Sequence, residues 1–257
     1  MIWNEKQKDT KMACVMCKAM FPPPCPHGDI EEIATDTFLL RSQITIKGIM
    51  KFSRNMVIVR SDGDLTLVNP VRLNEAGEEK LKKLGEIKTI LRLGHFHGRD
   101  DAYYKSTFDA PLLAVGPTSS YPEVKIDKIV KSASDLPFPD SDLFVFDFND
   151  FSEGAVVIRK SEGGILLTCD TFMCHKDDAL YTNWPMRKMM AKKGFTSAPV
   201  VIGPAWLKHQ SNIDKCKSEF ERMVKELDFK SLIAAHGRFL AEDAKAESIN
   251  GMKLAFP

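Results

Sequence analysis

The chain has 257 residues, long enough for one large domain with a sizeable core. Its 36 basic and 35 acidic residues nearly balance. No overall field therefore attracts it to nucleic acid or to an acidic membrane, and we expect a small-molecule substrate or a protein partner. No apolar run reaches the roughly 18 to 20 residues that span a bilayer, and the N-terminus lacks the apolar region of a signal peptide. The six cysteines are therefore expected to be reduced thiols of an intracellular, cytoplasmic protein, with an organelle left open.

Residues 1–30 are rich in Met, Cys and Pro and end in "FPPPCPHGD", where successive prolines exclude a helix. We predict an N-terminal extension over 1–30 and one domain over 31–257. A C-x₂-C pair followed by C-x-H offers four ligands of the kind that bind zinc. The alternative is a docked or mobile extension with free thiols, and the sequence leaves both open. The candidate ligands are Cys14, Cys17, Cys25 and His27.

A strand-rich part follows, with "TFLLRSQITI", "RNMVIVRS" and "LTLVNP" separated by Lys-Gly and Ser-Asp-Gly turn signals. The pattern then changes to a helix that Asn74 can cap and Gly85 can end. The next apolar run, "IKTILRL", predicts a buried strand that leads to His95 and His97. A polar cluster is therefore expected at the end of this strand.

"APLLAVGP", "LFVFDF" and "GAVVIRKSEGGILLTCD" predict a second set of strands. Ser-Glu-Gly-Gly at 161–164 is typical of a hairpin turn. Asp170 then follows an apolar strand, and Cys169 beside it is expected to be a small buried residue on that strand. His175 could supply an imidazole near Asp170, but we expect it at the surface.

The last third is predicted to be helical with one more strand, "SLIAAHG", that ends on His236. "WPMRKMMAKKG" predicts a short basic helix with the Trp184 indole packed beneath it. Its basic stretch fits a contact with an anionic partner and a solvated helix face equally well. Ser211 is the expected N-cap of the next helix, and Asn250-Gly251 the expected stop of the last one.

Two histidines spaced by two residues point the same way in an extended segment, so His95 and His97 could bind one metal ion. Two histidines near an apolar strand are also common as purely structural residues. Asp170 and His236, which arrive from other strand ends, would bring the number of ligands to the four that zinc prefers. The pattern therefore indicates a candidate metal site assembled from three strand ends.

The order of "GHFHGRD", "LLTCDTF" and "IAAHG" among repeated strands resembles the metallo-β-lactamase superfamily over about residues 33–240. The resemblance implies an α/β protein, a four-layer αββα sandwich with metal-binding loops along one edge. The family signature is H-x-H-x-D-H, a later His, an Asp after an apolar strand, and a final His. His95 and His97 match its first two ligands, Asp170 its bridging carboxylate, and His236 its last histidine.

Three positions depart from that signature. Arg99 stands where the family has an aspartate, and Asp100 where it has the next histidine. Phe151 occupies the position expected for the middle histidine, and a phenyl ring cannot bind a metal. A complete two-metal site is therefore not expected.

Three interpretations remain. In the first, His95, His97, Asp170 and His236 hold one Zn²⁺, or iron as the alternative, in a hydrolase with Asp100 and Asp170 as catalytic residues. In the second, an Arg99–Asp100 ion pair fills the former site, no metal binds, and the fold is an inactive interaction or assembly subunit. In the third, the pocket binds an anionic small molecule against Arg99.

Overall fold

The computed structural model describes residues 21–147 and 151–257 of a mixed α/β protein. Cys14 and Cys17 lie outside these residues. The strands are β1 His27–Ala34, β2 Thr37–Ile46, β3 Met50–Ser61, β4 Asp64–Val68, β5 Glu86–Arg92, β6 Leu112–Ala114, β7 Lys128–Ile129, β8 Ser141–Val145, β9 Gly154–Ile158, β10 Ile165–Leu167, β11 Phe172–Met173, β12 Val201–Ile202 and β13 Ser231–Ile233. The helices are α1 Glu75–Leu84, α2 Asp101–Phe108, α3 Trp184–Lys192, α4 Pro204–Leu207, α5 Ile213–Glu226 and α6 Ala244–Ala255.

Two sheets form the body of the fold. The larger has seven strands in the order β1 to β7, antiparallel up to β4 and parallel from β4 to β7. The smaller has the order β13-β10-β9-β8, in which only the β10–β13 pair is parallel. β9 and β10 pair as a hairpin with Ile158 opposite Ile165, which confirms the turn predicted at 161–164.

The alternation of side chains along the strands places the core between the sheets. In β3, Val57 and Val59 point toward the second sheet, whereas Met56 and Ile58 point away from it. The inter-sheet cluster also contains Leu39, Val68, Leu91, Leu93, Leu113, Val156, Ile158, Ile165, Leu167 and Ile233. The sheets therefore pack face to face, as the predicted sandwich requires.

Helices cover both outer faces. Leu81 of α1 and Tyr104 of α2 pack on the larger sheet. On the smaller sheet, Phe220 of α5 and Met252 of α6 join one cluster with Val157 and Leu166. The four layers confirm the expected αββα architecture, and their order follows from burying one apolar face of each helix against a sheet.

Several helix ends test the sequence predictions. The Asn74 side chain accepts a hydrogen bond from Gly77 N and caps α1 as predicted. The cap predicted at Ser211 is wrong by one residue, because the Asn212 side chain accepts from Lys215 N and α5 begins at Ile213.

The predicted stop at Asn250-Gly251 is also wrong, because α6 continues through both residues to Ala255. A Cβ at Gly251 would overlap the Val200 carbonyl, so this glycine permits close packing of the helix on β12 and does not end it. The Trp184 indole is 60% exposed, with Lys188 over its ring, and the prediction that it packs beneath α3 is wrong.

No helix within the two described ranges is both long and apolar enough to cross a membrane. β1 begins at His27 and ends at Ala34, so this strand lies on both sides of the boundary expected at residue 30. The division of the chain at that residue stays a prediction.

Candidate functional site

Three loops meet at one edge of the sandwich, each just beyond a parallel strand. β10 and β13 pair with Leu167 opposite Ile233, and Asp170 and His236 each lie three residues further on. β5 ends at Arg92, and His95 lies three residues beyond that end. Side chains that follow the carboxyl ends of parallel strands are commonly brought together in this way.

Two buried asparagines fix these loops. Asn69 Oδ1 accepts from Leu93 N at 3.0 Å, while its amide donates to Thr168 O at 3.4 Å, so it joins the loops after β5 and β10. The Asn55 amide donates to the carbonyls of Ala234 and Gly237, at 2.8 and 2.9 Å, and holds the loop that carries His236. Both sheets therefore position the site.

The structure brings His97, Asp170 and His236 into direct proximity. The Nε2 atoms of His97 and His236 lie 2.9 Å apart. Asp170 Oδ1 lies 3.4 Å from His236 Nε2, and Asp170 Oδ2 lies 3.7 Å from His97 Nε2. All three side chains are at least nine-tenths buried. Two imidazoles and a carboxylate therefore converge on one small volume.

A hydrogen bond to the backbone fixes how the His236 ring faces that volume. His236 Nδ1 lies 2.6 Å from Ser53 O and must donate to this carbonyl, so that its Nε2 faces Asp170 and His97. Burial lowers the pKa of His97 to about 3, so this ring is also neutral near pH 7. His97 Nδ1 is buried without a hydrogen-bond partner. The Nε2 atoms of both rings therefore point into this volume, and imidazole nitrogens are the commonest metal ligands in proteins.

Sequence reasoning missed the role of Glu153. Its Oε1 accepts from the backbone N–H groups of Asp170 and Thr171, at 2.6 and 3.0 Å, and so fixes the turn that presents Asp170. Burial, followed by the charge of Asp170, raises the pKa of Glu153 well above its usual value. The only signal in the sequence is an acid directly before an apolar strand.

Cys169 is fully buried as predicted, and its Sγ lies 3.9 Å from Asp170 Oδ2. One donor atom each from His97, Cys169 and Asp170 lie within 4.8 Å of one another. Burial raises the pKa of the Cys169 thiol well above its usual value. Cys169 is therefore a protonated thiol beside the candidate site and a further donor within reach of it.

His95 is separated from the three converging side chains. Among the described residues, its ring nitrogens make no hydrogen bond or ion pair with them, and its ring packs on Phe151 with 4.3 Å between centroids. Burial and then the charge of Arg92 lower the pKa of His95. Phe151, at the position expected for a missing histidine, thus makes an aromatic contact with the first histidine of the motif.

Two of the three positions that depart from the family signature, Arg99 and Asp100, are held by ion pairs. Asp100 Oδ2 accepts from Arg54 Nη1 at 2.9 Å, and Asp100 Oδ1 pairs with Arg99. A second buried pair joins Arg92 Nη1 to Asp101 Oδ2 at 3.1 Å. Arg54 and Arg92 were missed in the sequence, although an arginine inside an apolar strand is a signal of a buried ion pair.

The prediction that His175 lies at the surface is wrong. It is 3% exposed, and its ring packs against Phe52 and Phe195, with 5.1 and 6.0 Å between centroids. Its ring lies 6.3 Å from that of His236. Burial lowers the pKa of His175 to about 3. His175 is therefore a neutral histidine behind the site, since the loop after β11 turns into the protein.

His27, a candidate zinc ligand in the N-terminal segment, is engaged elsewhere. Its Nδ1 lies 2.7 Å from Gly28 O, and its Nε2 accepts from Asn74 N at 3.1 Å. Its ring therefore links β1 to the first turn of α1, with both nitrogens in use.

The spacing of the donor atoms matches that of a zinc site. Zn–N and Zn–O bonds of about 2.0–2.2 Å in a tetrahedron place neighbouring donors about 3.3–3.6 Å apart. The distances of 2.9, 3.4 and 3.7 Å between the donor atoms of His97, Asp170 and His236 bracket this value. Two imidazole nitrogens and a carboxylate oxygen are also donors that zinc commonly takes. The residues present thus fit a metal ion.

A cavity of about 660 Å³ lies beside Asp170. Its lining includes Phe96 and His209, whose rings approach each other with 5.7 Å between centroids. A second, smaller cavity of about 190 Å³ reaches His97, Asp170 and His236 themselves. The converging side chains are therefore accessible to a small molecule.

Comparisons with known proteins give the fold. No protein-family model and no curated protein match the sequence. Among solved structures, the DIM-1 metallo-β-lactamase exposed to ceftazidime is 15% identical, with 90% of this chain and 99% of that chain covered and a TM-score of 0.60. FIM-1 of Pseudomonas aeruginosa, in its mono-zinc form, is 10% identical, with 92% and 99% covered and a TM-score of 0.61. A metallo-β-lactamase from Pontibacter korlensis is 13% identical, with 89% and 99% covered and a TM-score of 0.58. Together with the two packed sheets and the loops along one edge, these similarities show that the chain has the metallo-β-lactamase fold.

Proposed function

We propose that the protein is a metal-dependent hydrolase with a mononuclear site, in which His97, Asp170 and His236 hold one zinc ion. The observation that carries this proposal is the convergence of two imidazoles and a carboxylate, with 2.9 to 3.7 Å between donor atoms. His95, expected as a fourth ligand, packs on Phe151 in this geometry. Three protein ligands leave a position open for a water molecule or a substrate, as catalytic zinc sites require.

The surrounding residues orient these ligands. Ser53 O fixes the tautomer and the ring plane of His236, and Glu153 holds the backbone of Asp170. A zinc ion bound there would supply Lewis acidity for hydrolysis of an ester, thioester, amide or phosphodiester. Iron is the alternative ion, because imidazole and carboxylate ligands suit both metals. Partners that hold the first ligands in place are typical of metal sites.

Asp100 is a weaker candidate for catalysis than the sequence indicates. Both of its oxygens accept from guanidinium groups, and its side chain is fully buried. A general base needs a free lone pair within reach of the substrate. We therefore regard Asp100 as part of an ion-pair network and keep Asp170 as the catalytic residue, through the metal ion that it would hold.

One observation favours a second function, that of an inactive interaction or assembly subunit. Arg99 and Asp100, at two positions where the family signature has ligands, form an ion pair that Arg54 extends, and Phe151 packs on His95. This arrangement would keep the fold stable without a metal. Binding of an anion by Arg99 is less favoured, because its guanidinium already contacts Asp100 and donates to Pro23 O at 2.8 Å.

The metal content of the purified full chain tests the proposal. We expect about one zinc ion per chain by elemental mass spectrometry after incubation with zinc and removal of excess metal. His97→Ala and His236→Ala should each abolish this binding. His209→Ala is the matched control, because this histidine lines the larger cavity but does not belong to the converging set.

Failure to bind zinc by a folded protein would contradict the proposal and favour the inactive subunit. If zinc binds, a panel of esters, thioesters and phosphodiesters should reveal turnover that Asp170→Asn abolishes. Turnover that is unchanged in Asp170→Asn would exclude this site as the catalytic centre.

A further inference from the structure

The larger cavity is an apolar chamber that opens beside the proposed metal ligands. Its volume of about 660 Å³ falls within the roughly 300–1,000 Å³ typical of small-molecule sites. Asp170 is one of its lining residues, so a molecule in the chamber can extend to the metal ligands. Its apolar walls include Phe52, Phe96, Met173, Met186, Met189 and Phe195.

The walls suit a flexible chain. Three of them are methionines, whose unbranched side chains adapt to different shapes, and two of these, Met173 and Met186, are buried. Phe52 links the chamber to the site, because its ring also stacks on His236 with 4.4 Å between centroids. An apolar group that lies along this wall would therefore place its end at the converging ligands.

The charges on the lining favour an anion. Among the described lining residues, Asp170 is the single acid, and it faces the two histidines of the site. The remaining polar groups are the ammonium groups of Lys193 and Lys208 and the imidazole of His209. A cationic ligand would meet two like charges, whereas an anionic one would be attracted to them.

We propose that the substrates are esters or thioesters of an apolar acyl chain that carry a negative charge. This proposal rests on the proposed hydrolase function and adds the class of substrate. In the reaction the acyl C–O or C–S bond breaks, and the hydroxyl of water forms a new bond to the acyl carbon. The proton of that water passes to the alcohol or thiol that leaves, so no oxidant or reductant is needed.

Straight-chain carboxylates resemble one product of this reaction and serve as probes. Acetate, hexanoate and decanoate should be titrated into the full chain by isothermal calorimetry, with and without zinc, below the concentration at which decanoate forms micelles. Each methylene that enters the chamber should tighten binding by up to about fourfold. Decanoate should therefore bind at least a hundredfold more tightly than acetate, and equal affinities would overturn the proposal.

Charge and wall variants test the assignment to this chamber. The double variant Lys193→Ala with Lys208→Ala should weaken decanoate at least threefold, whereas Lys188→Ala, on α3 but outside the lining, should not. Met189→Gln, at a half-buried wall position, should reduce the dependence on chain length. Decyltrimethylammonium should bind more weakly than decanoate, and tighter binding of this cation would contradict the charge argument.

The two proposals fail in different ways. If zinc does not bind but decanoate still binds more tightly than acetate, the hydrolase proposal fails and the apolar anion site stands. If one zinc ion binds but the three carboxylates bind equally, the metal site stands and the assignment of the substrate class is wrong.

Discussion

The buried ion pair of Asp100 with Arg54 should contribute to the free energy of unfolding, and this contribution can be measured directly. Asp100→Asn keeps the shape of the side chain and removes its charge, which leaves the guanidinium groups of Arg54 and Arg99 without their shared counter-ion. The carboxylate is fully buried and the Arg54 side chain only 5% exposed, so solvent cannot replace the lost partner. Arg54 would retain one contact, the 3.2 Å hydrogen bond to Pro70 O.

Breaking a pair buried to this degree costs about 3–5 kcal/mol. The matched control is Asp36→Asn, because Asp36 pairs with Arg60 at 2.6 Å but the two side chains are 44% and 34% exposed. An exposed pair contributes only about 0–1 kcal/mol. With a urea m-value of about 3 kcal/mol/M, the buried variant should unfold at roughly 1 to 1.7 M lower urea, and the control within roughly 0.3 M of the parent.

Urea unfolding followed by far-UV circular dichroism and by fluorescence provides the free energies, with coincident transitions as the test of two-state behaviour. Zinc content should be measured on the folded Asp100→Asn protein and should remain about one ion per chain. Loss of similar stability in the two variants would refute the buried-pair argument. Loss of zinc from a stable Asp100→Asn protein would instead return Asp100 to the set of metal ligands.

Three further predictions concern packing and thiol accessibility. Phe220→Ala should lower the free energy of unfolding, measured in urea, by about 3–5 kcal/mol because its ring is fully buried. Ile213→Ala on the same helix is the control and should change this free energy little, since Ile213 is 44% exposed. Equal effects of the two substitutions would contradict the packing. Gly251→Ala should destabilise the protein by about 1–3 kcal/mol, because the added Cβ would overlap the Val200 carbonyl. Helix propensity alone predicts the opposite, a gain in melting temperature. Such a gain would show that α6 does not pack this closely on Val200. Brief alkylation of the native protein should label Cys25 but not Cys174, because Cys25 is only half-buried. Burial hides the Cys174 thiol and raises its pKa to about 12. Peptide mass spectrometry measures the labelling, and labelled Cys174 would contradict the prediction.

The sequence by itself determined the elements and their order. Alternating apolar residues predicted the strands, and Asn74 and Gly85 correctly marked the ends of α1, because caps and side-chain periodicity are local properties. The αββα sandwich was predicted through the resemblance of the ordered motifs to the metallo-β-lactamase superfamily. The candidate metal site was predicted from His95, His97, Asp170 and His236 at strand ends, and the structure brings the last three of these side chains together.

Only the tertiary structure decided what those side chains contact. Some contacts join residues that are far apart in the chain, such as the pair of Asp100 with Arg54 and the hydrogen bond from His236 to Ser53 O. Other features depend on how a loop turns, such as the pair of Asp101 with Arg92 and the burial of His175. Tertiary packing also keeps the His95 ring apart from the other candidate ligands, because this ring packs against Phe151. A local pattern specifies which residues are available at a strand end, whereas packing of the two sheets specifies where each side chain points.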